Sequence, residues 1–123
     1  MAIVNKVDFK LKVSINNTIK YQILTFCFFE DISISNSDLE FLATLARNPN
    51  MEITKFCILL TELVIFKSPQ SARNAISKAE RKNLVVKTGS NKKTIVLNKS
   101  MNVQKDGVVL LDYKILGSES QEA

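Results

Sequence analysis

The stretch from Lys67 to Asn98, KSPQSARNAISKAERKNLVVKTGSNKKTIVLN, constrains this chain more than any other. It prescribes a short helix running directly into a two-stranded hairpin. Ser68 has the chemistry of an N-cap, since its oxygen can accept an otherwise unpaired backbone N–H of the first turn. Pro69 follows at the first helical position, where its fixed φ helps and its missing N–H costs nothing. Ala72, Ala75, Ile76 and Ala79 recur at i, i+3, i+4 and i+7 and make one small apolar face. Gln70, Arg73, Asn74, Ser77, Lys78 and Arg81 fall elsewhere around the same helix. Asn83 suits the C-terminal end, because Asn tolerates the left-handed conformation found there. The stretches 84–87 and 94–97 read as β-strands. They are joined by Gly89-Ser90-Asn91, residues that accept positive φ in tight turns.

A helix of this kind followed at once by a hairpin resembles the winged helix-turn-helix superfamily, over residues 36–98. The resemblance implies that residues 68–82 are the recognition helix and residues 88–93 the tip of the wing. The small apolar face fits that role, since a recognition helix packs closely on the helix before it. The segment AERKNLVVK is similar to the helix-to-wing transition of multiple-antibiotic-resistance-type repressors and of some plasmid replication initiators. The segment KTIVLNKSM is similar to the latter. The chain departs from the repressor pattern in carrying β-type segments where those proteins have long flanking dimerisation helices.

The rest of the chain is read by periodicity. Phe9, Leu11, Val13 and Ile15 alternate with polar residues, as do Ile19, Tyr21 and Ile23. Period two predicts a half-buried strand in each case. With Asn16-Asn17 as the turn, an N-terminal β-hairpin over residues 8–30 is expected. Its second strand becomes apolar on both faces through residues 24–29, with helices covering one face and another subunit the other. A first helix begins near Ser35, with Ser37 and Glu40 in the Ser-x-x-Glu spacing of a capping box, and ends at Asn48-Pro49-Asn50. A second helix is expected over residues 51–66, with Ile53, Phe56, Cys57, Leu60, Leu63 and Val64 as its inner stripe. Leu42, Phe56, Leu60, Leu63 and Ile76 are the expected core. A polar connection over residues 99–106 leads to a last strand at 108–116, and residues 118–123 have the composition of a polar tail. The expectation is one α+β domain over residues 1–117: a winged helix-turn-helix with an added N-terminal β-hairpin and a C-terminal strand.

Charge narrows the function. The net charge is +5, yet residues 67–105 hold 10 basic and 1 acidic residue, against 6 and 7 in residues 1–66 and 1 and 4 in residues 106–123. A concentration of +9 on the helix and hairpin is the footprint of a polyanionic partner. Asn and Gln can pair with adenine and Arg with guanine. The expected DNA-binding residues are therefore Gln70, Arg73, Asn74, Ser77, Lys78 and Arg81 on the helix, with Lys87, Lys92 and Lys93 on the hairpin. Lys92 and Lys93 suit phosphates. An ordinary solvated face, or phosphate contact without base contact, remains the alternative.

The chain contains no His, which removes the commonest general base and metal ligand. Its two Cys cannot by themselves make a tetrahedral zinc site. Gly89, Gly107 and Gly117 are too far apart for a phosphate-cradling loop. The acidic pairs Glu30-Asp31 and Asp38/Glu40 are better explained by helix ends than by catalysis. No enzyme activity, cofactor or metal is expected. Cys27 and Cys57 lie in apolar runs and read as buried free thiols of a reducing compartment. Neither a signal peptide nor a membrane-spanning run is apparent.

Two functions stay open. The first is a regulator or replication factor that binds duplex DNA in the host cytoplasm, as a homo-oligomer paired through the N-terminal hairpin or the last strand. The second is a small structural or assembly protein of a bacteriophage virion, with the winged-helix domain contacting neighbouring proteins. Richness in Lys, Asn and Ile suggests an AT-rich genome and so a phage or plasmid origin.

Overall fold

Ser68 begins the central helix as its chemistry requires: its Oγ accepts the Ser71 N–H at 3.1 Å, and Pro69 occupies the first helical turn. The computed structural model describes the backbone of residues 3–11, 15–105 and 109–117, and the side-chain surroundings of residues 16–105. In chain order the elements are β1 (Ile3–Leu11), α1 (Ile15–Phe29), α2 (Asn36–Arg47), β2 (Met51–Glu52), α3 (Ile53–Glu62), α4 (Pro69–Arg81), β3 (Val85–Thr88), β4 (Thr94–Leu97) and β5 (Val109–Gly117). Short 3-10 turns lie at Ser90–Lys92 and Lys99–Met101. The chain is thus α+β, with four helices among the described residues, an antiparallel sheet in the order β2-β4-β3, and a separate antiparallel pair β1-β5. The expected tail, residues 118–123, lies outside the described residues.

The helices share one core. Ala72, Ile76 and Ala79 of α4 are buried with Phe56, Cys57 and Leu60 of α3, and with Phe41, Leu42 and Leu45 of α2. Alanines on the inner face of α4 allow its close approach to α3. The Phe41 ring meets Phe56 at 5.8 Å and Phe66 at 6.4 Å between centroids. Leu84, Val85 and Ile95 bring the three-stranded sheet into the same core. Asn83, at φ 62, turns the chain out of α4, and Leu84 N–H returns to Ala79 O at 2.9 Å.

Three expectations are corrected. The hairpin over residues 8–30 does not exist: β1 pairs with β5 instead, and residues 15–29 are helix α1. Ile19 and Ile23 lie four apart, a spacing that satisfies a period of two and one of 3.6 alike. Cys27 extends the series at helical spacing, and all three are buried. Thr25 Oγ1 donates to Tyr21 O and Gln22 Nε2 to Thr18 O, bonds that reach back one helical turn. The two-sided apolar run is therefore a helix with a second apolar stripe, not a strand buried on both faces.

The capping box of α2 starts at Ser35 rather than at Ser37. Asp38 N–H donates to Ser35 Oγ at 3.1 Å, and Ser35 N–H to Asp38 Oδ2 at 3.4 Å, so Ser37 sits inside the first turn. Glu40 is freed to form an ion pair with Lys20, which ties α2 to α1. The third correction is the end of the inner stripe: Leu63 is 49% exposed rather than core, and Val64 is 84% exposed. Helix α3 ends at Glu62, and Val64 takes a left-handed φ of 59°. Leu63 is the C-cap, its N–H still bonded to Leu59 O at 2.9 Å. The chain reverses just after it, with Ile65 N–H returning to Leu60 O at 3.0 Å, so no further turn of α3 carries the inner stripe on past Leu60.

Candidate nucleic-acid interface

With about 100° of turn per residue, Gln70, Asn74, Ser77 and Arg81 form one stripe along α4, with Arg73 on one side of it and Lys78 on the other. All six are exposed, on the face opposite Ala72, Ala75, Ile76 and Ala79. Gln70 Nε2 donates to Asn74 Oδ1 at 3.0 Å, so one amide holds the other along the stripe. Lys78 Nζ lies 3.9 Å from Asp38 Oδ2 on α2. On the far flank Arg73 Nη2 donates to Thr54 Oγ1 at 2.8 Å, which directs the guanidinium across the start of α3.

The hairpin turn approaches that same place. Gly89 adopts φ 81°, and Asn91 and Lys92 are left-handed at 58° and 53°. Thr94 Oγ1 donates to Thr88 O at 2.7 Å and closes the base of the turn. Lys93 O accepts the Ile53 N–H at 2.8 Å, and β2 pairs with β4, so the turn is fastened to the first residue of α3. The result is a cleft of about 380 Å³ lined by Glu52, Ile53, Thr54, Arg73, Lys87, Lys92 and Lys93. Four cationic residues and one acidic residue, Glu52, line it. Lys87 is partly neutralised by Glu80, 3.4 Å away.

The nine residues singled out from the sequence therefore divide into two groups. Arg73, Lys87, Lys92 and Lys93 come together in one cleft at the N-terminus of α3. Gln70, Asn74, Ser77 and Arg81 make a separate polar stripe beside it, and Lys78 stands apart against Asp38. Sequence reasoning missed Thr54 as the partner of Arg73. It also missed β2, whose two residues are too few to show any periodicity. The cleft can hold an anion electrostatically, and the stripe presents both donors and acceptors.

Cys27 and Cys57 are free and buried. Burial pushes both thiols up, opposed in part by Lys82 at Cys27 and by Arg73 at Cys57. Among the described residues no cluster of His, Cys, Asp or Glu could hold a metal ion, and no helix is long and apolar enough to cross a membrane. Compared with protein-family models, curated proteins and solved structures, the chain matches none.

Proposed function

We propose that this is a winged-helix DNA-binding protein, a transcriptional regulator or replication factor acting in the cytoplasm of its host. The observation that carries the reading is the convergence of Arg73, Lys87, Lys92 and Lys93 on one cleft beside the exposed polar stripe of α4. The order of α2, α3 and α4 followed by the β3–β4 hairpin is compatible with a winged-helix layout. In this reading α4 enters the major groove, where Gln70, Asn74, Ser77 and Arg81 meet base edges. Arg73, Lys87, Lys92 and Lys93 meet the phosphates alongside and set the register. The hairpin turn is fastened to α3 in advance, so little chain ordering is needed on binding. Titration of mixed-sequence duplex DNA at several salt concentrations tests this. The expected result is an affinity that falls steeply and linearly on a log–log plot against salt. Absence of any affinity at low salt ends the DNA reading.

A second reading, an assembly protein of a phage virion, is favoured by a different observation. Tyr21, Leu24 and Phe28 form an exposed stripe on α1, and Phe28 and Phe29 are each 79% exposed. An apolar surface of this kind is typical of contact with other proteins. In that case the basic cleft serves an acidic protein surface, and the protein forms stable complexes without duplex DNA.

A further inference from the structure

The pair β1–β5 is a two-stranded ribbon of nine paired positions, from Ile3 opposite Gly117 to Leu11 opposite Val109. Among the described residues, neither strand pairs with any strand but the other. Two strands alone are marginal in water, and three or more with an apolar face are needed for independent stability. The ribbon also has an odd charge pattern. Its register places Lys6 opposite Lys114 and Asp8 opposite Asp112. Like charges directly opposite destabilise a strand pair.

A two-fold axis resolves both features. We propose that β5 is the pairing edge for a second copy of this chain, antiparallel and centred on Tyr113, giving a four-stranded sheet in the order β1-β5-β5-β1. In that register Asp112 lies opposite Lys114 of the partner copy, twice over. The row across the sheet then reads Lys6, Lys114, Asp112, Asp8, with the next row its mirror in sign. Each like-charged pair meets an oppositely charged pair across the axis. The same centring places Leu110 opposite Leu116 and Leu111 opposite Ile115.

The choice of edge rests on composition. Strand β5, VLLDYKILG, has apolar residues at both odd and even positions of its sequence, with Asp112 and Lys114 its two charges, a composition typical of interior strands. Strand β1 carries Asn5, Lys6, Asp8 and Lys10, the charged and polar marks of a strand that stays at an edge. No other strand pairs with β5 among the described residues. A sheet of this kind buries backbone groups that a lone ribbon leaves to solvent. The proposal deepens the homo-oligomer part of the sequence reading and is independent of the DNA reading, since none of its tests contains DNA.

The test is site-directed cross-linking of the folded full chain. Tyr113→Cys is oxidised natively with copper phenanthroline and quenched with N-ethylmaleimide before denaturation. Cys27 and Cys57 are buried and stay out of the reaction. Most of the Tyr113→Cys protein should run as a disulfide-linked dimer. Val7→Cys should not, because its two copies would lie three strand spacings, about 14 Å, apart. The reverse result, Val7→Cys linking and Tyr113→Cys not, overturns the assignment of the edge. Light scattering of the unmodified protein should give a dimer mass, and a monomer at all concentrations overturns the proposal altogether. Lys114→Glu should raise the dimer dissociation constant about tenfold or more, although it gives Lys6 an opposite charge within its own ribbon. Adding Asp112→Lys to it should restore the dimer. An unchanged constant in the single variant, or no restoration in the double, rules out the charge register.

Discussion

A Cβ on Gly89 would lie 2.8 Å from Thr94 Oγ1, too close for any ordinary contact. That oxygen cannot move away freely, because it is bonded to Thr88 O and to the Thr88 hydroxyl. Gly89 also has φ 81°, where a side chain is strained whatever the space. Gly89→Ala should therefore cost about 1–3 kcal/mol, read from denaturant melts. If duplex DNA is the partner, it should also weaken binding without changing any charge, because the turn it distorts carries Lys92 and Lys93. A variant as stable as the parent would mean that the turn is loose.

Leu60 and Leu63 separate the observed end of α3 from the one that periodicity suggests. Leu60 is fully buried and Leu63 is half exposed. Leu60→Ala should lose about 2–5 kcal/mol, whereas Leu63→Ala should lose about 0.5 kcal/mol or less, as surface changes do. Equal losses would place Leu63 back in the core.

Val64 is a β-branched residue in the left-handed region and is 84% exposed. Its side chain contributes little packing, while the conformation costs roughly 1–2 kcal/mol. Val64→Gly should relieve that cost, less the added freedom of glycine in the unfolded chain. The expected net result is a small gain, visible as a higher denaturant midpoint with an unchanged slope. A clear loss would show that Val64 makes contacts its exposure does not suggest.

These residues also show where the sequence is legible. Helix α4 and its hairpin are readable because several local signals agree there: a Ser cap, a Pro at the start, an alanine face, and turn residues at Gly89 and Asn91. Helix α1 is not, because Ile19 and Ile23 fit both periods, and Asn16-Asn17 looks like a turn although it lies in the first turn of the helix. The cap of α2 is offset because Ser35 and Ser37 both have an acid three residues on, and tertiary contact with Lys20 on α1 draws Glu40 away. Of the site, the cations are visible as charge density. Their convergence is not, since it depends on Lys93 O meeting Ile53 N–H and on Arg73 reaching Thr54, contacts between residues 19 or more apart.

The two buried thiols give a pH dependence with a definite sign. Each has its pKa raised above the ordinary value of 9.0 in the folded chain, chiefly by burial. The unfolded chain therefore loses these protons first as pH rises. Their contribution to stability is fully present below the unfolded pKa and is lost as pH climbs from there through the folded value. Melts from pH 7 to pH 10 should show stability declining at the upper end, and Cys57→Ala should flatten the decline. Both thiols should also react with Ellman's reagent only as the protein unfolds. Fast labelling of the native protein at pH 7 would contradict their burial.

The two groups of the basic face should fail in different ways if duplex DNA is the partner. Lys92 and Lys93 reach toward the cleft from the turn, where a phosphate contact carries no sequence information. Changing both to Ala should weaken every duplex alike and flatten the salt slope by roughly 1 for each phosphate no longer neutralised. Asn74 and Arg81 lie on the exposed stripe of α4, away from that cleft. Changing either to Ala should cost about 1–3 kcal/mol on a preferred sequence and far less on an unrelated one. Asn74 carries a further consequence, since its Oδ1 accepts from Gln70. Its removal frees the Gln70 amide, so the preference of the variant should change rather than merely fade. Selection of bound duplexes from a random pool, repeated with the Asn74→Ala protein, would reveal a shifted motif. The same motif from both proteins, with all variants weakening all duplexes equally, would reduce the face to a phosphate-binding surface and remove base reading from α4.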